Sequence, residues 1–194
     1  MLLALIAALI SAAPIAAKEA PSIIRIETES PCGDTVIQHC WLNTGGEQIW
    51  LASSTDFSKR HLLFETERNA KVLLADEEEW LALNDHWGSN GSSLILYKKL
   101  RELDYRKEID LTGEAWDFFC KQHHISQTGF DHSYVEALRW IEQPRAILLE
   151  LSGHLDGKHH VESWLCIYYI DSKKFSTDLD ELNKKHVTLP DEKH

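Results

Sequence analysis

No stretch of the chain is rich enough in glycine, serine or proline to act as a linker, so its 194 residues read as one domain behind a leader. After position 17 no apolar run approaches the roughly 20 residues that a membrane-spanning helix needs. Basic side chains are scarce: 20 Lys and Arg against 31 Asp and Glu give a formal net charge of -11. That excess repels phosphate backbones and anionic lipid, which speaks against nucleic acid or a membrane surface as partner. Catalytic signatures are missing as well. There is no Gly-x-Ser-x-Gly elbow, no Ser-x-x-Lys, and no Walker or Rossmann glycine pattern. No motif implies a cofactor.

What is present begins with an uncharged apolar leader, MLLALIAALISAAPIAA. Pro14 breaks a helix there, Ile15-Ala16-Ala17 offers the small residues a signal peptidase prefers, and Lys18-Glu19 opens the polar sequence. Residues 1–17 therefore read as a cleavable secretion signal lacking its usual basic n-region, with an uncleaved anchor or a buried helix as alternatives. Residues 18–194 form the expected domain, secreted or periplasmic. Export permits disulfides among the 4 cysteines. Cys32 and Cys40 lie close in PCGDTVIQHC, leaving Cys120 and Cys166 as a second pair on apolar faces. Three connectivities are possible, and four reduced, small, buried side chains are the other reading.

Most of the mature chain reads as β-strand. PSIIRIE, DTVIQHCWL, EQIWLAS, HLLFET, KVLLA, WLALND, SLILYKK, YRKEIDL, SYVEALRWIE, RAILLELS and VESWLCIYYID are short runs rich in Val, Ile, Leu, Trp and Tyr between turn signals. Glu67-Arg68-Asn69 reads as a hairpin turn. One segment differs. From Thr112 to about His124, Ala115, Trp116, Phe119 and Cys120 form a helical stripe, with Thr112 placed to cap it and Glu114 and Asp117 suited to its N-terminal end. STDLDELNKKH could make a second short helix. The expected fold is mainly β, an antiparallel meander or open curled sheet, partly propeller-like, with one or two short helices.

Two segments echo each other: VLLADEEEWLALNDHWGSNGSSLILYKK and IEQPRAILLELSGHLDGKHHVESWLCIYYID both run turn, strand, polar loop, strand. The first resembles a repeat of TolB-type β-propellers, whose blades carry a Ser-Pro-Asp-Gly-x-Trp-Leu-Ala turn and strand. Glu77, Trp80, Leu81 and Ala82 carry the match, while Ala75, Asp76 and Glu78 stand where the family has Ser, Pro and Gly. The resemblance covers one or two blade-like units and implies four-stranded antiparallel sheets. A closed propeller needs four to eight blades, and the helix takes up too much of this chain for that.

The densest polar cluster joins two apolar strands, so it lies at a sheet rim. In it Asn84, Asp85, His86 and Asn90 surround Trp87, and Gly88 and Gly91 permit turns. A ring to stack and polar groups to orient suit a protein, peptide or glycan ligand; the competing reading is a structural turn with Trp87 folded onto the core. Asn90-Gly91-Ser92 also spells a glycosylation acceptor. A second loop holds His154, Asp156, His159 and His160, good ligands for zinc or copper but at no established spacing. The acidic run Asp76 to Glu79 reads as a solvated turn. Trp50, Trp80, Trp140 and Trp164 sit inside strands and read as core. The expected function is that of an exported, non-enzymatic binding module. The alternative is an exported hydrolase or metal-assisted enzyme joining Asp85 and His86 to the His154–His160 cluster.

Overall fold

Two strands, WLALNDH and SLILYKKLR, carry unbroken buried runs at 80–85 and 94–97, and that double-sided burial organises the rest. The computed structural model describes residues 23–43, 45–125, 130–143, 145–154, 160–176, 178–179, 183 and 187–188. These form three antiparallel sheets in chain order. The first is β1 (Ile23–Glu29), β2 (Thr35–Trp41), β3 (Glu47–Ser53) and β4 (Arg60–Thr66). The second is β5 (Asn69–Leu74), β6 (Trp80–His86), β7 (Ser93–Arg101) and β8 (Asp104–Asp110). After α1 (Leu111–His123) the third follows: β9 (His132–Ile141), β10 (Ala146–His154), β11 (His160–Tyr169) and β12 (Lys174–Ser176), with β13 (Val187–Thr188) also pairing β11. The expected antiparallel meander is thus divided among three sheets.

The second sheet is the middle layer. Trp80, Ala82, Leu94 and Leu96 point from β6 and β7 into one core with α1 and the third sheet, where they meet Phe119, Val135, Leu149 and Trp164. The intervening residues Leu81, Leu83, Ile95 and Tyr97 point the other way, onto Ile37, Ile49 and Leu51 of the first sheet. Strict alternation of side chains across a strand sends neighbours to opposite cores. Apolar runs of this kind are what a sheet covered on both sides requires. Each such Leu or Ile contributes about 1.5–3 kcal/mol by leaving water.

Helix α1 starts one residue before the expected position, and its N-cap is Asp110, whose carboxylate accepts the Thr112 N–H. Ala115, Trp116, Phe119 and Cys120 are all buried, as the stripe predicts. Among the described residues no helix is long and apolar enough to cross a membrane. The second expected helix lies largely outside the described residues.

Glu67-Arg68-Asn69 does not make a hairpin. It carries the chain from β4, an edge of the first sheet, to β5, an edge of the second. The cause is pairing preference: β5 pairs β6, so the short connection becomes a crossing between layers. The acidic turn at 76–79 is also no bystander. Glu78 adopts φ 54°, the left-handed conformation a glycine would favour, and its side chain is buried. There Oε2 accepts from Thr35 Oγ1 at 3.0 Å and from Lys99 Nζ at 3.1 Å. Glu77 and Glu79 each hold Arg145 at 2.8 Å, so one turn ties all three sheets together.

The expected disulfides are absent; Cys32, Cys40, Cys120 and Cys166 are free thiols. Cys40 is the sixth residue of β2, and an extended strand rising about 3.3 Å per residue carries it away from Cys32 in the preceding turn. A disulfide needs Cα atoms within about 7 Å. Cys32 instead donates from Sγ to the Asp76 carbonyl at 2.9 Å. Cys120 and Cys166 share one core as small apolar side chains.

Candidate ligand-binding cleft

β5 is the edge of the middle sheet, and among the described residues no strand pairs with its outer side. All six of its residues, Asn69 to Leu74, line a cavity of about 690 Å³. One wall is the first sheet, through Ile37, His39, Trp41 and Glu47. The opposite wall is Leu138, Arg139 and Trp140 of β9. A bulge makes that wall: Leu148 pairs Arg139 while Leu149 pairs Ala137, so Leu138 is the extra residue and remains 37% exposed. Bulges re-aim side chains in this way. Trp140 is fixed by its indole N–H, which donates to the Leu73 carbonyl at 2.9 Å.

The floor holds a buried polar pair. His39 Nδ1 and Glu47 Oε1 are 2.8 Å apart, and Glu47 Oε2 accepts the Ala70 N–H at 3.1 Å. Both side chains are almost fully buried. A carboxylate buried this deeply has to be paired and hydrogen-bonded, and these two contacts meet that need. They also dock the first sheet onto the edge of β5. Lys71, Arg139, Glu29 and Asp76 add charges of both signs around an otherwise apolar space.

The rim loop singled out by sequence is placed differently. Asn84 is buried: Nδ2 donates to the Ala137 carbonyl at 3.0 Å and Oδ1 accepts the Ala137 N–H at 2.8 Å. Asp85 is 9% exposed and accepts from Thr66 Oγ1 at 2.7 Å. These two side chains join layers. His86 stands 3.6 Å from Glu136, and Asn90 accepts from Ser89 Oγ at 2.9 Å. Trp87 is half exposed, with its ring over Gly91, where an added Cβ would meet Cζ2 at 2.6 Å. None of these five residues lines the cleft.

Of the metal candidates, His154 and His160 are neighbours across β10 and β11, with ring centroids 6.3 Å apart. Asp156 and His159 lie outside the described residues. Among the described residues, no group of three or more His, Cys, Asp or Glu side chains could hold a metal ion. Trp80 and Trp164 are core, as expected, whereas Trp50 is half-buried beneath the Arg60 guanidinium, 4.6 Å from its centroid.

His39 and Glu47 were not singled out from the sequence. The signal was there, because the Gly45-Gly46 turn sets a register in which Trp41 faces Glu47, leaving His39 diagonal to it on the same face. Comparison of the chain with protein-family models, curated proteins and solved structures gives no match.

Proposed function

We propose that this chain is an exported binding module that captures an extended peptide along the outer edge of β5. The observation that carries the reading is that every residue of an edge strand lines one cleft. An open strand edge offers a row of amides and carbonyls to a strand from another chain. Strand addition draws affinity from those groups and specificity from pockets for alternate side chains. The volume of about 690 Å³ lies within the range of ligand pockets, roughly 300–1,000 Å³. Glu47 occupies the Ala70 N–H and Trp140 the Leu73 carbonyl, so the peptide pairs with the outward backbone groups of Val72 and Leu74.

Export rests on the composition of residues 1–17, since buried reduced thiols suit either compartment. We read the three consecutive antiparallel sheets, of four, four and five strands, as blade-like units of the kind the TolB-type resemblance implies, three being too few to close. The hydrolase reading gains no support from the geometry. It needs two clusters at one point, yet Asp85 turns toward the first sheet. His86 contacts Glu136, four residues or about 13 Å along β9 from His132, the strand neighbour of His154.

Selection from a randomised decapeptide display library, followed by fluorescence anisotropy with the recovered peptides, tests the proposal. Leu138→Glu, at an exposed wall position, should weaken capture at least tenfold with the melting temperature unchanged. Recovery of no peptide, or of peptides indifferent to Leu138→Glu, would overturn it.

A further inference from the structure

Side chains alternate along β5. Ala70 and Val72 pack with Ile37 and Ile49 of the first sheet, whereas Leu73 packs against the core that α1 shares with the third sheet. Lys71 is on the Leu73 face. Its register partner Asn84 points the same way, bonding both backbone groups of Ala137 in β9. Lys71 is thus the one cation that β5 presents to the wall of Leu138, Arg139 and Trp140.

Backbone groups alternate too. The Ala70 N–H points outward to Glu47 and the Ala75 N–H inward to Trp80, so Lys71 and Leu73 turn their groups to β6 and Val72 and Leu74 turn theirs to the cleft. Every named strand pair in the three sheets is antiparallel. A strand added in that sense makes hydrogen-bonded pairs at Val72 and Leu74 and non-hydrogen-bonded pairs at Lys71 and Leu73. Side chains approach closest in the second kind, with Cβ atoms about 4.5 Å apart.

We infer, resting on the capture of a strand by β5, that the preferred ligand is an acidic peptide of one pattern. Two consecutive apolar residues lie opposite Leu73 and Val72, and an Asp or Glu follows opposite Lys71. The first apolar side chain meets the wall of Leu138 and Trp140, and the second meets Ile37 on the other side. Opposite charges facing each other across strands stabilise, and like charges destabilise. Among the described residues neither Lys71 nor Arg139 holds a carboxylate in an ion pair, so both are available to the ligand.

The carboxylates of the cleft do not compete for that position. Glu47 is taken by His39 and the Ala70 N–H, and Asp76 lies two residues past Leu74, at the opposite end from Lys71. Glu29 adjoins Ser30, whose hydroxyl bonds Glu78 in that same turn. Nor does the net charge of -11 decide the matter. Charges are screened beyond about 8 Å at physiological ionic strength, whereas the facing pair is in contact.

Fluorescence anisotropy of the full chain tests the pattern with two decapeptides, identical except for Glu or Lys directly after a Val-Val pair. Wild type should bind the Glu peptide at least about threefold tighter. Lys71→Glu, at an exposed position, should reverse that order with the melting temperature unchanged. Arg139→Gln should shrink the preference, and Lys121→Glu, on α1 away from the cleft, should keep it in full. Equal binding of the two peptides by wild type, or the same order in Lys71→Glu, would overturn the inference and leave strand capture standing. Binding of library-selected peptides but of neither decapeptide would do the same. No binding of any peptide would overturn the capture itself.

Discussion

Asn84 and Ala137 form a two-bond pair in which a side-chain amide does the work of a missing strand. β9 is the edge of the third sheet, and its outward backbone groups would otherwise be buried without partners against the middle sheet. Ser92 serves Val135 in the same manner, accepting its N–H at 2.9 Å and donating to its carbonyl at 3.0 Å. Asn183 repeats the device on β11, with both bonds to Leu165 at 2.7 Å.

Asn84→Ala leaves a buried N–H and a buried carbonyl unpaired, each costing about 1–3 kcal/mol. Urea denaturation should show a loss of about 2–4 kcal/mol. Asn90→Ala, six residues along on the exposed rim, should stay within about 0.5 kcal/mol of wild type. Equal effects would mean that Asn84 does not join the layers.

Glu78 gives a pH signature. Burial alone would raise its pKa, but the Ser30 hydroxyl, Lys99 and Thr35 outweigh that and hold it below its usual 4.5. A depressed folded-state pKa supplies stability above the unfolded value that is lost as pH falls through the folded one. Glu78→Gln should cost about 1–3 kcal/mol at neutral pH. In urea midpoints from pH 7 to pH 3, the gap between wild type and variant should narrow only below about 4.5. A gap independent of pH would place the effect in packing instead.

The cysteines give a chemical test. Burial raises the thiol pKa of Cys40 and Cys120 and pushes that of Cys166 up to about 12. With Ellman's reagent, native protein should give one fast thiol, the exposed Cys32, and denatured, unreduced protein all four. Fewer than four on denaturation would reveal a disulfide.

The strands were legible because each carries its own apolar pattern, and α1 because its stripe changes period at Thr112. Their grouping was less so. Thr66 and Asn69 flank two residues that look like any hairpin turn, and nothing local says that β5 turns to β6 rather than β4. Polar residues misled in the same way. Asn84 and Glu78 have the composition of loop and solvated turn, yet their partners lie 53 and 43 residues away in sequence. Short β-strands pair over such distances without leaving a mark in either segment. The cleft was invisible for the same reason, since its walls come from three sheets.

The central claim is that β5 receives a strand. Hydrogen exchange on the full chain, with and without a library-selected peptide, measures it at the amides concerned. The account predicts that protection rises at the Val72 and Leu74 amides while the Trp87 loop is unaffected. Protection confined to residues 86–92, or none in β5 at saturating peptide, would contradict it.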